Sequence, residues 1–450
     1  MRVIDRDVFF VSSNNRVAVY APLRGVLFEV SPEALDRINQ EEPSHSYATA
    51  LLDKAGLIVD EDSLTELPDA KIETDFKPTG VIYMVTNACN FRCRYCYAEA
   101  GKYSVKKFNR KMGFTAAKMV IDNAAERGLD KAYLNFHGGG EPTCDFPFIR
   151  EMVESSRAYA SERYHDSIEV VASLVTNGSV SKENLEWIAR NVDSVQVSYD
   201  GYDEIQNLQR PTANGNSTEK MVRDAILYLQ DKIPDLLIKS TISAYSVSFM
   251  PEIAEHLCRI FSIKRFHMGP VLGAGRGLDK EFGEPEAQKF IDGAIKAQQI
   301  AKSYGKSIVV SGTDDTYPNI RVRYCGATDP NFVLTADGCI SSCYEVMHED
   351  DPRGVYFWYG KYNANNDTFV IDMGRLQAIR KRVKEMRPLC DTCFARWQCA
   401  GDCQARWWDS ITGEENKKYD IRCLINRELI RRHIFQTLDD ACEQKQNNKG

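Results

Sequence analysis

An alternation of apolar strand patterns with helical patterns runs through the middle of the chain and most restricts its fold. Apolar runs of strand length are separated by stretches in which apolar residues recur every three or four positions. The predicted strands are 81–85, the run before Asn135, 168–175, 195–199, 237–242 and 265–270, and the predicted helices include 146–163, 182–190, 218–230 and 251–261. This order predicts an α/β fold, a parallel sheet with helices outside it. Six strands are too few for a closed eight-stranded barrel.

Three cysteines follow the first predicted strand at a spacing of three and then two residues. Cys89, Cys93 and Cys96 lie on the loop that leaves the carboxyl end of this strand, where barrels and open sheets place their chemistry. Three thiolates can hold a four-iron cluster and leave one iron open to a substrate or cofactor. Structural zinc is the alternative, but it needs four ligands, and no fourth Cys or His follows closely. The spacing alone leaves both metals open.

A glycine-rich segment follows the second predicted strand. Residues 138–142 are Gly-Gly-Gly-Glu-Pro. Glycine leaves the backbone free to approach a bound molecule that a side chain would block. An ordinary glycine turn would have the same composition. The segment therefore indicates a binding site only in combination with the cysteine triplet.

The cysteine triplet, Tyr95 just before its last member, and the Gly-Gly-Glu-Pro element together resemble the radical S-adenosylmethionine (SAM) superfamily. The resemblance implies a partial (β/α)6 barrel whose triplet-bound [4Fe-4S] cluster binds SAM and cleaves it reductively to a 5'-deoxyadenosyl radical. The SAM contacts that it implies are Gly139, Gly140, Glu141, Ser198 and Arg210. Arg210 suits the carboxylate of SAM because a guanidinium fork fits a carboxylate. A surface arginine is the simpler alternative.

A second group of cysteines lies towards the carboxyl end: Cys325, Cys343, Cys390, Cys393, Cys399, Cys403 and Cys423. Their order is similar to the SPASM domain, the auxiliary-cluster module of radical SAM enzymes that modify peptides and proteins. The resemblance implies one four-iron cluster on Cys390, Cys393, Cys399 and Cys423, and another on Cys325, Cys343 and Cys403. A zinc ribbon is the alternative for Cys-x2-Cys pairs, and the upstream triplet makes it less favoured.

The Cys325 cluster lacks an evident fourth thiolate. Sulfatase-maturing relatives have a further cysteine shortly before this position, and this chain has none there. Either Cys339 completes the cluster, or one iron stays open and binds a substrate thiolate. Those relatives also have an aspartate that acts as a base directly after the cysteine equivalent to Cys343. In this chain Tyr344 and Glu345 follow that cysteine. Glu345 or Tyr344 is therefore our candidate for catalytic proton transfer, although such residues also simply line cluster pockets.

The first 75 residues are not needed to complete the barrel. Strand patterns at 8–11, 17–20 and 26–30 precede two helices, one starting at Ser31-Pro32 and one over 46–54. This order resembles the winged-helix recognition element of enzymes that modify ribosomally made peptides. Such an element would bind a leader peptide as an extra strand at a sheet edge. A cap on the barrel is the alternative.

The length and charge of the chain agree with an enzyme of several domains. The 450 residues allow three units, at 1–75 (winged-helix-like), 76–315 (barrel) and 316–450 (SPASM). A net charge of −7 without a long basic tract argues against nucleic acid. Since no signal peptide and no long apolar run is present, we expect no membrane contact, a cytoplasmic location, and cysteines that bind metal rather than form disulfides.

These features predict a radical SAM, SPASM-containing peptide maturase, an oxidoreductase of ribosomal peptide biosynthesis. Its expected cofactors are three [4Fe-4S] clusters and SAM, and its expected partners are a precursor peptide with a leader and an external electron donor such as flavodoxin or ferredoxin. Thioether cross-linking is the preferred reaction because of the open iron. Carbon–carbon cross-linking, epimerisation and anaerobic sulfatase maturation are alternatives. A cysteine-rich zinc scaffold or an electron carrier is the alternative without catalysis.

Overall fold

A computed structural model of the protein describes residues 2–40, 47–69, 72–102, 105–310, 312–313, 319–326, 329–347, 351–384, 388–409, 412–415 and 420–447. The first residue of the helix predicted over 46–54 lies outside these ranges. All fourteen cysteines lie inside them, and no two are joined by a disulfide. Within these ranges, no helix combines the length and the apolar character needed to span a bilayer.

The amino-terminal unit contains two small antiparallel sheets and two helices. Its elements are β1 (Arg2–Ile4), β2 (Phe9–Ser13), β3 (Arg16–Ala21), β4 (Val26–Val30), α1 (Pro32–Gln40), α2 (Tyr47–Lys54) and β5 (Ile58–Asp60). Strands β2, β3 and β4 form one sheet, and β1 pairs with β5 in the other. Asn14 and Asn15 adopt positive φ angles of 46° and 60° in the turn between β2 and β3, as tight hairpins require. Ser31 caps α1 by accepting a hydrogen bond from the Ala34 N–H at 3.2 Å.

The middle of the chain alternates strands and helices as the apolar pattern predicts. Its elements are β6 (Gly80–Met84), α3 (Arg110–Glu126), β7 (Lys131–His137), α4 (Phe146–Tyr164), β8 (Glu169–Thr176), α5 (Lys182–Asn191), β9 (Ser194–Ser198), α6 (Asp203–Gln209), α7 (Glu219–Leu229), β10 (Asp235–Ile242), α8 (Met250–Ile260), β11 (Arg265–Pro270), α9 (Ala287–Ser303) and β12 (Ser307–Val310). Strands β6 to β12 are parallel neighbours in chain order. The six predicted strands are present, and β12 extends them.

The sheet is larger than the six-strand expectation because the carboxy-terminal segment adds to its other edge. The elements there are β13 (Asn331–Thr335), β14 (Cys339–Ser341), α10 (Gly354–Phe357), β15 (Trp358–Asn363), β16 (Thr368–Ile371), α11 (Met373–Lys384), α12 (Arg396–Cys399) and α13 (Ile421–Asn447). Strand β13 pairs in parallel with β6, and β14 to β16 continue in antiparallel fashion. The result is a mixed 11-stranded sheet in an α/β fold.

Side-chain alternation along the barrel strands separates an apolar shell from a polar interior. In β9, Val195 and Val197 are fully buried against the helices, whereas Gln196 and Ser198 line an internal cavity. A strand directs successive side chains to opposite faces, so polar residues at every second position collect inside the barrel. The sequence of each strand therefore builds the core and the cavity wall at once.

The three-stranded amino-terminal sheet is packed on both faces. Val11, Ala18 and Tyr20 pack with Phe394 and with one side of α13. The intervening side chains of β3 pack on the opposite face with Leu52 and other residues of the amino-terminal unit. The sheet thus connects its own helices to the cysteine-rich carboxy-terminal segment.

Candidate functional site

The loop that carries the cysteine triplet is held by the end of β8. The Asn177 side chain donates to Asn90 Oδ1 at 2.8 Å, and Asn90 in turn donates to Ser179 Oγ at 2.9 Å. The Arg92 guanidinium donates to the Cys89 carbonyl at 2.7 Å. Cys89, Cys93 and Cys96 all line one cavity at the barrel mouth. The structure therefore brings the three predicted ligands together.

The glycine-rich segment packs against the start of the same loop. The Gly140 N–H donates to the Thr86 carbonyl at 2.9 Å, and the Glu141 N–H donates to the Ala88 carbonyl at 2.8 Å. A Cβ at Gly140 would lie 1.9 Å from the Ala88 oxygen, so no other residue fits there without a backbone shift. Gly139 and Gly140 line the cavity beside the cysteines.

Glu141 is buried, and its carboxylate is bonded to protein groups. One oxygen accepts from the Thr143 N–H, the Thr143 hydroxyl and the Thr176 hydroxyl at 3.1, 2.8 and 2.8 Å. The other accepts from the Asn177 N–H at 2.6 Å. Burial raises the pKa of Glu141, opposed by these hydrogen bonds. The side chain thus ties the glycine segment to β8 on the cavity wall.

Arg210 is only 6% exposed and lines the cavity from the end of α6. Its Nη1 donates to the Tyr95 hydroxyl at 2.8 Å, and Tyr95 donates to Asp200 at 2.6 Å. Gln209 also donates to Asp200, at 2.8 Å. Among the described residues, the Arg210 Nε–H has no hydrogen-bond acceptor. A buried guanidinium with a spare N–H suits an external carboxylate. Ser198 lines the same cavity.

Four of the carboxy-terminal cysteines surround one small enclosed space. Cys390, Cys393, Cys399 and Cys423 line it together. From α13, the Asn426 side chain donates to the Cys399 sulfur at 3.3 Å and Arg427 donates to the Cys393 sulfur at 3.8 Å. N–H donors to sulfur stabilise thiolates. The grouping of these four cysteines is the one that the SPASM resemblance implies.

The remaining three cysteines form a looser group. Cys343 and Cys403 pack against one apolar cluster that contains Trp407 and Trp408. Burial raises the pKa of Cys343 to about 12, and Cys325 adds to this rise. Cys403 also lines the barrel cavity. Cys339, the suggested fourth ligand, begins β14 and is 8% exposed.

Tyr344 and Glu345 enter the barrel cavity from the carboxy-terminal segment. The Arg406 guanidinium donates to the Glu345 carboxylate at 2.6 Å. The Tyr344 ring stacks on His137 with the ring centres 4.6 Å apart. Tyr344 lines the cavity and is 36% exposed, and burial of its hydroxyl raises its pKa well above the usual value. The two candidates for proton transfer therefore share a cavity with the cysteine triplet.

Several cavity residues were not predicted from the sequence. They are His137, Gln196, Lys239, Tyr324, Arg406 and Arg422. Strand alternation offered a signal for Gln196, because the residues on either side of it, Val195 and Val197, are aliphatic and buried. Lys239 is followed by Ser240 and Thr241, so its segment shows no such alternation. Arg406 lies in a short turn and Arg422 in the first turn of α13, so neither is on a strand that would give this signal.

The residues present fit the groups that the cysteines suggest. Three thiols at one cavity, a close-packed glycine backbone and a buried arginine with a spare N–H can accommodate a thiolate-bound cluster and a small carboxylate-bearing molecule. Within the described ranges, no three Cys, His, Asp or Glu side chains converge as closely as a single metal ion requires. A four-iron cube is wider than one ion, so its thiols stand further apart.

The fold and this site define an α/β barrel protein with clustered cysteines at the carboxyl ends of its strands. Residues 83–256 match the family model described as "Radical SAM superfamily". These residues therefore form a radical SAM domain, and members of this superfamily use SAM and a [4Fe-4S] cluster.

Named relatives and a solved structure extend the similarity beyond this domain. The chain is 22% identical over 293 residues to the sporulation killing factor maturation protein SkfB of Bacillus subtilis, covering 62% of each chain. It is 20% identical to a serine-type anaerobic sulfatase-maturating enzyme of Klebsiella aerogenes, covering 71% of this chain and 77% of that one. The solved structure "Native anSMEcpe with bound AdoMet" superposes with a TM-score of 0.64 at 16% identity, covering 81% of this chain and 99% of that one. The structural likeness concerns the fold.

Proposed function

We propose that this protein is a radical SAM maturase that modifies a ribosomally made precursor peptide. The observation that carries the proposal is one cavity shared by two parts of the chain. The barrel contributes the cysteine triplet, the glycine segment and Arg210, and the carboxy-terminal segment contributes Tyr344, Glu345 and Cys403. The similarity to SkfB, described as a maturation protein, supports a peptide as the substrate.

The barrel residues would bind the first cluster and SAM. Cys89, Cys93 and Cys96 would hold a [4Fe-4S] cluster with one open iron, and Arg210 would bind the carboxylate of SAM. Gly139 and Gly140 would let the backbone approach the amino group of SAM, and Glu141 would hold the two glycines in place. When bound, cluster and SAM supply the abstraction of a substrate hydrogen atom. Ser198 is a further polar contact on the cavity wall.

The carboxy-terminal segment would hold two auxiliary [4Fe-4S] clusters, making three in all. Cys390, Cys393, Cys399 and Cys423 supply a complete set of four thiols for one of them. Cys325, Cys343 and Cys403 supply three thiols for the other. Either Cys339 or a substrate cysteine would supply its fourth ligand, and the second case favours thioether cross-linking.

Glu345 is the preferred group to hold a proton released by the substrate. Arg406 donates a hydrogen bond to the carboxylate and fixes its orientation, as a general base requires. Tyr344 shapes the cavity next to it and is the second candidate. Both residues lie on the side of the cavity formed by the carboxy-terminal segment, which would face the peptide.

Two partners are part of the proposal. We infer that the unit at residues 1–75 recognises the leader, because β2 and β4 each pair only with β3 in the described part of the sheet and so offer edges for an added strand.

An acidic one-electron donor such as flavodoxin or ferredoxin would dock on the groove formed by Arg92, Arg94, Arg276 and Phe282. Arg276 donates to the Cys93 carbonyl at 2.8 Å, so this basic groove adjoins the first cluster.

Anaerobic sulfatase maturation is the second candidate function. The match to the Klebsiella enzyme covers more of both chains than the match to SkfB, which favours this candidate. Tyr344, where those relatives have an aspartate, weighs against it. Carbon–carbon cross-linking and epimerisation fit the same cavity.

Anaerobic reconstitution with iron and sulfide, followed by SAM and dithionite, tests the central proposal. We expect the wild-type chain to bind about twelve iron atoms and to release 5'-deoxyadenosine. A variant with Cys89, Cys93 and Cys96 replaced by alanine should keep about eight iron atoms and release none. A wild-type protein that holds only zinc, or a variant that still cleaves SAM, contradicts the proposal.

Mass spectrometry of co-expressed peptides then separates the reactions. A candidate precursor encoded beside this chain should lose two hydrogens if it is cross-linked and keep its mass if it is epimerised. A sulfatase-derived peptide that reacts while the precursor does not would favour the second candidate function.

A further inference from the structure

A lysine in the interior of the barrel points into the cavity. Lys239 lies on β10 between Ile238 and Ser240, which are fully buried on the opposite face. Alternation along the strand therefore directs Lys239 inwards, where it lines the cavity beside Ser198 on the neighbouring strand. Among the described residues, its ammonium group makes no hydrogen bond and no ion pair.

The other cations that line the cavity have protein partners. Arg406 pairs with Glu345 at 2.6 Å, and Arg422 pairs with the buried Asp402 at 2.7 Å. Arg210 donates to the Tyr95 hydroxyl. Within the described ranges, Lys239 is the cavity cation that has no protein acceptor.

The groups facing Lys239 do not supply the missing anion. His267 on β11 is the register partner of Lys239, and His137 lines the cavity from β7; burial lowers the pKa of each to about 4, so both are neutral near pH 7. Glu345 approaches from the carboxy-terminal segment but is held by Arg406, while Arg422 repels the ammonium. Cys403 lines the same cavity but is a proposed cluster ligand. A cation inside a cavity without a bonded anion is stabilised by an anion that the ligand brings.

We propose that Lys239 binds a carboxylate of the peptide substrate, either an Asp or Glu side chain or the terminal carboxylate, next to the residue that is modified. The inference rests on the proposed function, since it requires a peptide in this cavity. Ser198, the register neighbour of Lys239, is a proposed SAM contact, so a carboxylate at Lys239 would set the distance of the peptide from SAM.

Small model compounds test this pairing on the full-length reconstituted chain. The probes are N-acetyl-aspartate N′-methylamide, its neutral isostere N-acetyl-asparagine N′-methylamide, and N-acetyl-alanine, which carries only a terminal carboxylate. SAM is kept saturating so that Arg210 is occupied. Saturation-transfer NMR should show that at least one carboxylate probe binds roughly fivefold or more tightly than the asparagine amide. The tighter of the two identifies the source of the carboxylate.

Variants assign the preference to Lys239. Lys239→Gln should remove it, Lys239→Arg should retain it, and the exposed Lys280→Gln should behave as wild type. Iron content and thermal unfolding check folding, and Lys239→Arg still tests the charge if the glutamine variant does not fold. Equal binding of all probes to the wild type, or a preference that survives Lys239→Gln, overturns the inference. Failure of the proposed function would appear separately, as absence of 5'-deoxyadenosine from the wild-type enzyme.

Discussion

Arg210 shows how a buried side chain is oriented before its ligand arrives. Its charge is balanced by Asp200, which it reaches through the Tyr95 hydroxyl, and backbone and side-chain donors fix Asp200 in turn. A guanidinium held in this way loses little conformational freedom when it binds a carboxylate. Tyr95 therefore acts both as the aromatic residue of the cysteine loop and as part of the arginine support.

We predict that Arg210→Lys weakens SAM binding by about tenfold to a hundredfold. Lysine keeps the charge but loses the planar fork, and a hydrogen bond to a charged group contributes about 1.5–3 kcal/mol. Equilibrium dialysis of the reconstituted variant against labelled SAM measures the change. Arg259→Lys, at an exposed arginine of α8 outside the cavity, is the matched control. Wild-type affinity in Arg210→Lys would remove the arginine from the SAM site.

At the level of residues, motifs within one loop could be predicted from the sequence, but contacts between residues far apart in the chain could not. Cys89 to Cys96 span one loop, so their spacing alone indicates a shared ligand. The sequence shows a glycine at position 140. Its packing against the Ala88 carbonyl depends on how two loops meet in the fold, and the sequence does not show this contact. Arg406 and Lys239 come from distant parts of the chain, and only the folded sheet brings both to one cavity.

Helix α13 links the amino-terminal sheet to a candidate cluster site. Its first turn carries Cys423, and further along the helix Ile430, Ile434 and Phe435 pack against the sheet residues Val11, Ala18 and Tyr20. Its partners in that apolar cluster include Cys393. Any displacement of the helix therefore affects the sheet and the cysteines together.

Ile434→Ala should lower the free energy of unfolding by about 2–5 kcal/mol, because truncating a buried isoleucine leaves a cavity. Ile434 is 3% exposed between α13 and the sheet. Gln436→Ala, on the exposed face of the same helix, should change it by no more than about 0.5 kcal/mol. Urea unfolding of both variants provides the comparison. Equal effects would show that the sheet does not depend on this contact.

At the level of elements, regular strands and helices followed from their periodicity, and the sheet extension did not. The segment 195–199 alternates apolar and polar residues, and β9 covers Ser194–Ser198. Strand β13 pairs with β6 across a separation of about 250 residues, a partner choice that no local pattern specifies. Strands as short as β14 give too few residues to show a period.

For the molecule as a whole, two histidines make the stability of the fold depend on pH. His137 lines the cavity from β7, His267 lies beside Lys239 on β11, and burial lowers the pKa of each from 6.5 to about 4. In the unfolded chain both recover the ordinary value. Below pH 6.5 the unfolded state therefore binds more protons than the folded state, so stability rises with pH between about 4 and 6.5 and falls on acidification.

We accordingly predict that the double variant His137→Gln with His267→Gln loses less stability than the wild type between pH 7 and pH 5. Each histidine contributes a slope of at most about 1.4 kcal/mol per pH unit in this window and none above it. Pulse proteolysis in urea, performed anaerobically on reconstituted protein at both pH values, measures the difference. His165→Asn, at an exposed left-handed position after α4, should keep the wild-type slope. If the double variant keeps the wild-type dependence of stability on pH as well, the two histidines are not held neutral in the folded protein. The loss of stability in acid then comes from other groups.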